Sequence, residues 1–356
     1  MVVIHIANID KAILGGVQVA VPQMIRAQAS HATVGCINTH GDVLDGVQML
    51  TYEGGLDLSK LPPPFHRPDL VVFHEVYRPE FIAMYKVLRK AGVPYVVLPH
   101  GSLSRQAQKR KRLKKLAANL LLFRRFLRCA KAIQYLSENE AQLSAFPQYP
   151  FFVRGNGIVP PAVKKETFFQ NGVRFLYVGR LEIITKGLDL LLAAIKACAK
   201  EMRSAKAALL ICGPQYQGEH EALKALVDRY GIADLVSIRG AAVGEEKQQL
   251  LLGADCFIQS SRTEGLPMGP LEALGYGLPC IATKGATLGG VIEAYGAGFS
   301  AETSAEGIKE ALLRFLASRN KILEMSRAAV RLVDEHYDTD RIAAKTVEKY
   351  GDIALK

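Results

Sequence analysis

Thr263-Glu264-Gly265-Leu266-Pro267-Met268-Gly269-Pro270-Leu271-Glu272-Ala273-Leu274 directly follows the apolar run Cys256–Gln259 and the polar Ser260-Ser261-Arg262. The short apolar run reads as a buried strand, Gly265 and Pro267 as a turn, and 269–276 as a helix. Two carboxylates therefore lie eight residues apart, Glu264 before the turn and Glu272 about one turn inside the helix. Backbone N–H groups at a helix start suit a phosphate. The two carboxylates can accept hydrogen bonds from neighbouring sugar hydroxyls. A glutamate early in a helix is also favoured by the dipole alone, and for Glu272 taken singly that reading suffices. The whole stretch, closed by Gly277-Leu278-Pro279, is far more specific than either glutamate.

Outward from this stretch, short β-rich runs alternate with helical patterns. In the second half, strands are expected over 174–178, 208–212, 236–239, 256–259 and 280–282, with helices over 188–200, 220–230, 245–252, 269–276 and 305–316. The first half repeats the theme, with strands over 2–7, 33–37, 70–74, 95–99 and 132–136 and helices over 17–29, 80–91, 106–128 and 138–146. Such alternation predicts parallel sheets with helices on both faces. Continuous apolar runs such as 70–73 and 95–98 fit strands buried on both sides. Gly155, Gly157, Pro160, Pro161 and Gly172 mark a linker. The expected fold class is thus α/β: two doubly wound Rossmann-like domains, 1–160 and 161–338, with an interdomain cleft. Ligands of such sheets sit at the carboxyl ends of the strands.

With 356 residues, 49% apolar and 22% charged, the chain is long enough for two cores and is not disordered. No apolar run approaches the ~18 residues of a membrane-spanning helix. The start, Met1-Val2-Val3-Ile4-His5-Ile6-Ala7, reads as a strand rather than a signal peptide. None of the six cysteines forms a C-x-x-C pair. That spacing disfavours structural zinc and fits buried thiols in a reducing compartment, so the cytoplasm is the expected location. The net charge of +11 is unevenly placed. Residues 81–137 hold fourteen basic side chains and no acidic one, and subtracting these leaves the rest at −3. Within that segment Arg105, Lys109, Arg110, Lys111, Arg112, Lys114 and Lys115 precede or interleave apolar positions at helical spacing: Leu113, Leu116, Ala117, Leu120, Leu121 and Leu127. Three readings stand: an amphipathic helix with a solvated basic face, a nucleic-acid surface, or a helix lying on an anionic membrane. No aromatic platforms interleave the charges, which weakens the nucleic-acid reading.

Three further sites carry possible chemistry. Gly15-Gly16 precedes a helix, where a backbone could approach an anion closely; a plain tight turn would look the same. His100, in Pro99-His100-Gly101-Ser102, stands at a strand's carboxyl end and could meet a substrate, or could merely cap the strand. Gly179-Arg180 follows a strand, and Lys186-Gly187 opens the next helix. Arg180 can grip phosphate oxygens bidentately and Lys186 adds a point charge, which together suit a diphosphate. Neither the Walker pattern nor G-x-G-x-x-G is present.

These blocks, in this order and at these intervals, together with Asn156-Gly157-Ile158 and Ile211-Cys212-Gly213-Pro214, resemble family-4 retaining glycosyltransferases of the GT-B fold, of the polysaccharide and lipopolysaccharide group 1 type. The resemblance spans nearly the whole chain. It implies a nucleoside-diphosphate sugar as donor and a saccharide or lipid-linked acceptor in cell-surface polysaccharide synthesis. It implies that Arg180 and Lys186 bind the diphosphate and that Glu272 binds the ribose. Glu264, with the backbone of Gly265, Leu266, Pro267 and Met268, would hold the transferred sugar. His100 would lie near that sugar. Gly15 and Gly16 would allow close approach to the phosphate, and the segment ending at Val243 would meet the base. No metal or other cofactor is expected; Asp338-Thr339-Asp340 reads as a helix start, and the helix over 339–356 would pack back on the first domain. The resemblance also favours membrane attachment for the basic segment, with a peripheral position at the inner face of the plasma membrane and no nucleic-acid partner. A nucleotide-sugar 2-epimerase of the same fold is the alternative enzyme, and an inactive binding module the non-enzymatic one.

Overall fold

The computed structural model describes residues 1–12, 16–109, 116–214 and 218–355. Gly15, Arg110, Lys111, Arg112, Lys114 and Lys115 lie outside the described residues. The chain divides into two compact units: Met1–Gly157 with Thr339–Lys356, and Ile158–Asp338.

Unit 1 is built on six parallel strands: β1 (Val2–Ala7), β2 (Thr33–Asn38), β3 (Leu70–His74), β4 (Tyr95–Leu98), β5 (Ala132–Tyr135) and β6 (Phe151–Val153). Their spatial order is β2-β1-β3-β4-β5-β6, so the direction of winding reverses between β1 and β3. Because side chains alternate along a strand, Ile4, Ile6, Val71, Phe73 and Val97 fill the core on one face of the sheet. Val3, Ala7, Val34, Val72 and Val96 fill the other. On this second face lies helix Gly16–Gln28, with helix Thr339–Ala354 packed beside it. That final helix begins within Asp338-Thr339-Asp340. It buries Tyr350, whose hydroxyl donates to Gln134 Oε1 at 2.6 Å.

Unit 2 holds β7 (Val173–Val178), β8 (Ala207–Cys212), β9 (Val236–Arg239), β10 (Cys256–Gln259), β11 (Cys280–Thr283) and β12 (Gly298–Ala301). All pairings are parallel, in the order β12-β11-β10-β7-β8-β9. The winding reverses between β7 and β10, which sets a crevice at their carboxyl ends.

Two strands escape the sequence pattern, β6 and β12. Both are edges. Phe151 of β6 is exposed and β12 opens on Gly298, so neither shows the apolar run of a doubly buried strand. The expected helix over 106–128 is helical at every described residue, but not as one regular α-helix. Helix Arg105–Lys109 is followed, beyond the undescribed residues, by a π-helical turn Asn119–Phe123 and then helix Arg124–Cys129. Of the described apolar positions singled out there, only Leu127 is buried; Phe123 and Phe126 supply the rest of the inward face. Leu116, Leu120, Leu121 and Leu122 point outward. A helix packed through its leucines with only its basic face solvated is therefore not what forms. No described helix is long and apolar enough to cross a membrane.

Candidate donor site in unit 2

The loops after β7 and β10 flank the point where the winding reverses. Tyr177, fully buried on β7, donates its hydroxyl to the Arg180 carbonyl at 2.9 Å. The Gly179 N–H donates to Cys212 O at 3.0 Å, and Leu181 is buried beneath the turn. A Cβ on Gly213 would stand 1.7 Å from the Gly179 carbonyl, so only glycine permits this approach of the two strand ends. The turn leaves the Arg180 side chain half exposed, with its guanidinium 3.7 Å from Glu182.

The chain then makes one helical turn, Ile183–Lys186, closed by Gly187 at φ 64°. A Cβ on Gly187 would come 2.1 Å from the Ser260 carbonyl. Ser260 Oγ donates to Lys186 O at 2.8 Å, and the Arg262 N–H to Thr185 O at 2.9 Å. The Arg262 guanidinium holds Asp189 in two bonds of 2.7 Å. These contacts join the two loops into one platform. Ser260, Arg262 and Asp189 were not singled out from the sequence, because their partners are more than seventy residues away.

On this platform Lys186 and Glu264 form an ion pair, each side chain less than one-fifth exposed. Ser261 Oγ donates to the same carboxylate oxygen at 3.0 Å and Gln259 Nε2 at 3.3 Å. Burial, reinforced by the Glu264 carboxylate, raises the Tyr177 phenol well above its ordinary range. Backbone bonds pin the loop: Glu264 N–H to Gly285 O at 3.0 Å, and Thr287 Oγ1 to Gly265 O at 3.0 Å. Gly265, Leu266 and Pro267 lead into helix Met268–Gly275, with Pro267 at its N-cap. Glu272 lies on that helix and pairs with Lys247 from helix Gly244–Gly253. Lys247 was missed in the sequence, where nothing in its own surroundings marks it. Val243, exposed, caps helix Gly244–Gly253. Arg180, Lys186, Glu264 and Glu272 are thus carried by elements that follow β7 and β10, with Lys247 added to them.

In unit 1, His100 follows β4 with φ 48°, and Gly101 with φ 80°. The Gly101 N–H donates to Glu140 Oε1 at 2.6 Å, and the Leu136 N–H to Glu140 Oε2 at 2.7 Å. Burial raises the Glu140 carboxyl against the pull of these two bonds. The imidazole of His100 is lowered by burial to about 4, so it is neutral at pH 7. Gly16 is the first residue of helix Gly16–Gln28, and Arg105 is exposed at the start of Arg105–Lys109. Asp10, His40 and Asp42 of unit 1 bring potential ligand atoms within 4.8 Å of one another. Asp42 already accepts the Lys11 backbone N–H at 2.8 Å, and no step is assigned to a metal there.

Residues 159–331 match the family described as glycosyl transferases group 1. Over 214 residues, 59% of its length, the chain is 30% identical to the GDP-mannose:cellobiosyl-diphosphopolyprenol alpha-mannosyltransferase of Xanthomonas oryzae pv. oryzae. It spans about half, 54%, of the length of that curated relative. Among solved structures, sucrose-phosphate synthase from Thermosynechococcus elongatus matches with a TM-score of 0.76 over 99% of both chains, at 18% identity. Anabaena HepE, solved with UDP-glucose, matches with a TM-score of 0.72 over 98% of this chain and 99% of its own, at 16% identity. These two likenesses are of fold, and the fold is GT-B: two parallel six-stranded α/β sheets. Residues 159–331, which carry Arg180, Lys186, Glu264 and Glu272, are thus those of a group 1 glycosyltransferase.

Proposed function

We propose that the chain transfers a sugar from a nucleoside-diphosphate sugar, with retention of configuration and without a metal ion, to a saccharide or lipid-linked acceptor in cell-surface polysaccharide synthesis. The observation that carries this reading is the set of two cations and two carboxylates on the elements that follow β7 and β10. As the bond from the anomeric carbon to the diphosphate breaks, negative charge grows on the leaving group. Arg180 can take it bidentately and Lys186 as a point charge, doing what a metal ion does elsewhere. Positive charge grows on the sugar ring; the Glu264 carboxylate suits it, and a neutral His100 would not oppose it. Glu272 accepts from the ribose hydroxyls, and the backbone of Gly265, Leu266, Pro267 and Met268 holds the sugar. Val243 meets the base. The names of the relatives support a nucleotide-sugar donor, since one acts on GDP-mannose and another is solved with UDP-glucose. The diphosphopolyprenol in the first name supports a lipid-linked acceptor.

Membrane attachment is part of this reading. Leu116, Leu120, Leu121 and Leu122 form an exposed apolar ridge next to exposed Arg124, Arg125 and Arg128. A buried leucine contributes about 1.5–3 kcal/mol, and each basic residue near an anionic surface ~1 kcal/mol. The protein is expected to float with anionic liposomes at low salt, and Leu120→Ser with Leu121→Ser to weaken it; wild-type protein that stays unbound would refute the attachment. For the chemistry, Arg180→Ala is expected to cut transfer from the cognate donor by about a hundredfold, measured with labelled nucleotide sugar and native lipid extract. Undiminished transfer in that variant would overturn the assignment of the leaving-group site.

A further inference from the structure

Three histidines and one glutamine form a continuous chain through unit 1. His100 Nε2 lies 3.1 Å from His74 Nδ1. His74 Nε2 lies 2.9 Å from His5 Nδ1, and His5 Nε2 lies 3.0 Å from Gln28 Oε1. The rings stack in turn, with centroids 5.2 and 5.4 Å apart and planes within 28°. His5, His74 and Gln28 are fully or almost fully buried. The topology explains the juxtaposition. β1 and β3 are neighbours, β3 and β4 are neighbours, and His5 and His74 point to the face covered by helix Gly16–Gln28.

We propose that Gln28 fixes, through His5 and His74, which nitrogen of His100 carries its proton, holding it on Nε2 and leaving Nδ1 as a lone pair. The logic is one of donors and acceptors. A neutral imidazole has one of each. Burial lowers His5 to about 4, His100 to about 4 and His74 well below its ordinary value, so all three are neutral at pH 7. Gln28 Oε1 only accepts, so His5 is protonated on Nε2 and accepts on Nδ1. His74 must then donate from Nε2 and accept on Nδ1, and His100 must donate from Nε2. Among the described residues Nδ1 of His100 has no hydrogen-bond partner. The Gln28 amide presents Oε1 to His5 Nε2. Gln28 Nε2 and Asn156 Oδ1 are both unpaired among the described residues and line one cavity of about 10 Å³. A donor and an acceptor facing a space of that size fit a single bridging water.

The inference rests on the reading that His100 meets the transferred sugar. A lone pair there accepts a hydrogen bond from a sugar hydroxyl and favours positive charge on the ring; an imidazolium would oppose it. His5, His74 and Gln28 are positioning residues in this account.

The test is 15N NMR of the full chain labelled only at histidine, where eight residues must be resolved. Two- and three-bond couplings report the tautomer of each ring. The expected wild-type result at pH 7.5 is a proton on Nε2 of His5, His74 and His100. A proton on Nδ1 of His100, or a mixture, overturns the proposal without any variant being made. Gln28→Leu should give mixed tautomers along the chain. It should also lower kcat with KM for the donor unchanged, by about tenfold or more, as loss of the partner behind a functional histidine does at metal sites. His74→Gln, which keeps a donor and an acceptor, should recover more activity than His74→Phe. If both are equally impaired at equal thermal stability, the relay does not act through proton placement. His100→Ala separates the two readings: full activity in that variant removes the catalytic role of His100 but leaves the tautomer assignment standing.

Discussion

His5, His74 and His100 lose their charge to the packing around them, and this makes stability depend on pH in a defined window. In the unfolded chain each titrates near 6.5, whereas in the fold burial lowers His5 and His100 to about 4 and His74 well below its ordinary value. Between those values the unfolded state binds more protons. The stability is therefore whole above about pH 6.5 and is lost as pH falls toward 4, by up to about 1.4 kcal/mol per pH unit for each histidine. Thermal melts from pH 7.5 to 4.5 should show Tm falling below 6.5, and His74→Phe should flatten the fall. A level profile over that range in wild type would contradict the burial of neutral imidazoles. At this scale the sequence showed residue types but not their partners. Arg180, Lys186, Glu264 and Glu272 were singled out because motif spacing marks them, and the fold carries them on the elements after β7 and β10. Lys247, Glu140, Ser261 and the His5–His74 contact were not, since each is created by chain segments that only the fold brings together.

The elements show why the loops are where they are. The ends of β7 and β8 approach so closely that Gly213 has no room for a side chain, and this fixes the turn that launches Arg180. Gly213→Ala must push the two strand ends apart, an overpacking cost of roughly 1–3 kcal/mol. The variant should melt lower and bind nucleotide more weakly; unchanged stability and affinity would mean the approach does not position Arg180. The buried strands could be read from their apolar runs, as with Leu70–His74 and Cys256–Gln259. β6 and β12 could not: Phe151 of β6 is exposed and β12 opens on Gly298, so neither carries such a run. The segment 106–128 misleads for a related reason. Helical spacing of leucines implies a core-facing stripe, yet Phe123, Phe126 and Leu127 take the core and Leu116, Leu120, Leu121 and Leu122 face out. Spacing gives a periodicity, and only packing decides which side of it is buried.

Across the whole molecule, the two sheets are wound differently. Unit 2 has the order 3-2-1-4-5-6 and unit 1 the order 2-1-3-4-5-6, counting strands within each. Both leave a crevice beside their first strand; in unit 2 Arg180 and Glu264 follow the strands that flank it, whereas in unit 1 His100 follows β4, one strand further along. The alternation of strands and helices made this fold class readable from the sequence. The central claim is that unit 2 binds a nucleoside diphosphate through its own cations. The most direct test is the melting temperature of the full chain with millimolar UDP, GDP, ADP or CMP, each with and without EDTA. A nucleotide at 100 times its Kd stabilises the native state by about 2.7 kcal/mol. One nucleoside diphosphate should raise Tm equally with and without EDTA, and Arg180→Ala should abolish the rise. No rise with any of them, or a rise that survives Arg180→Ala, would contradict the account.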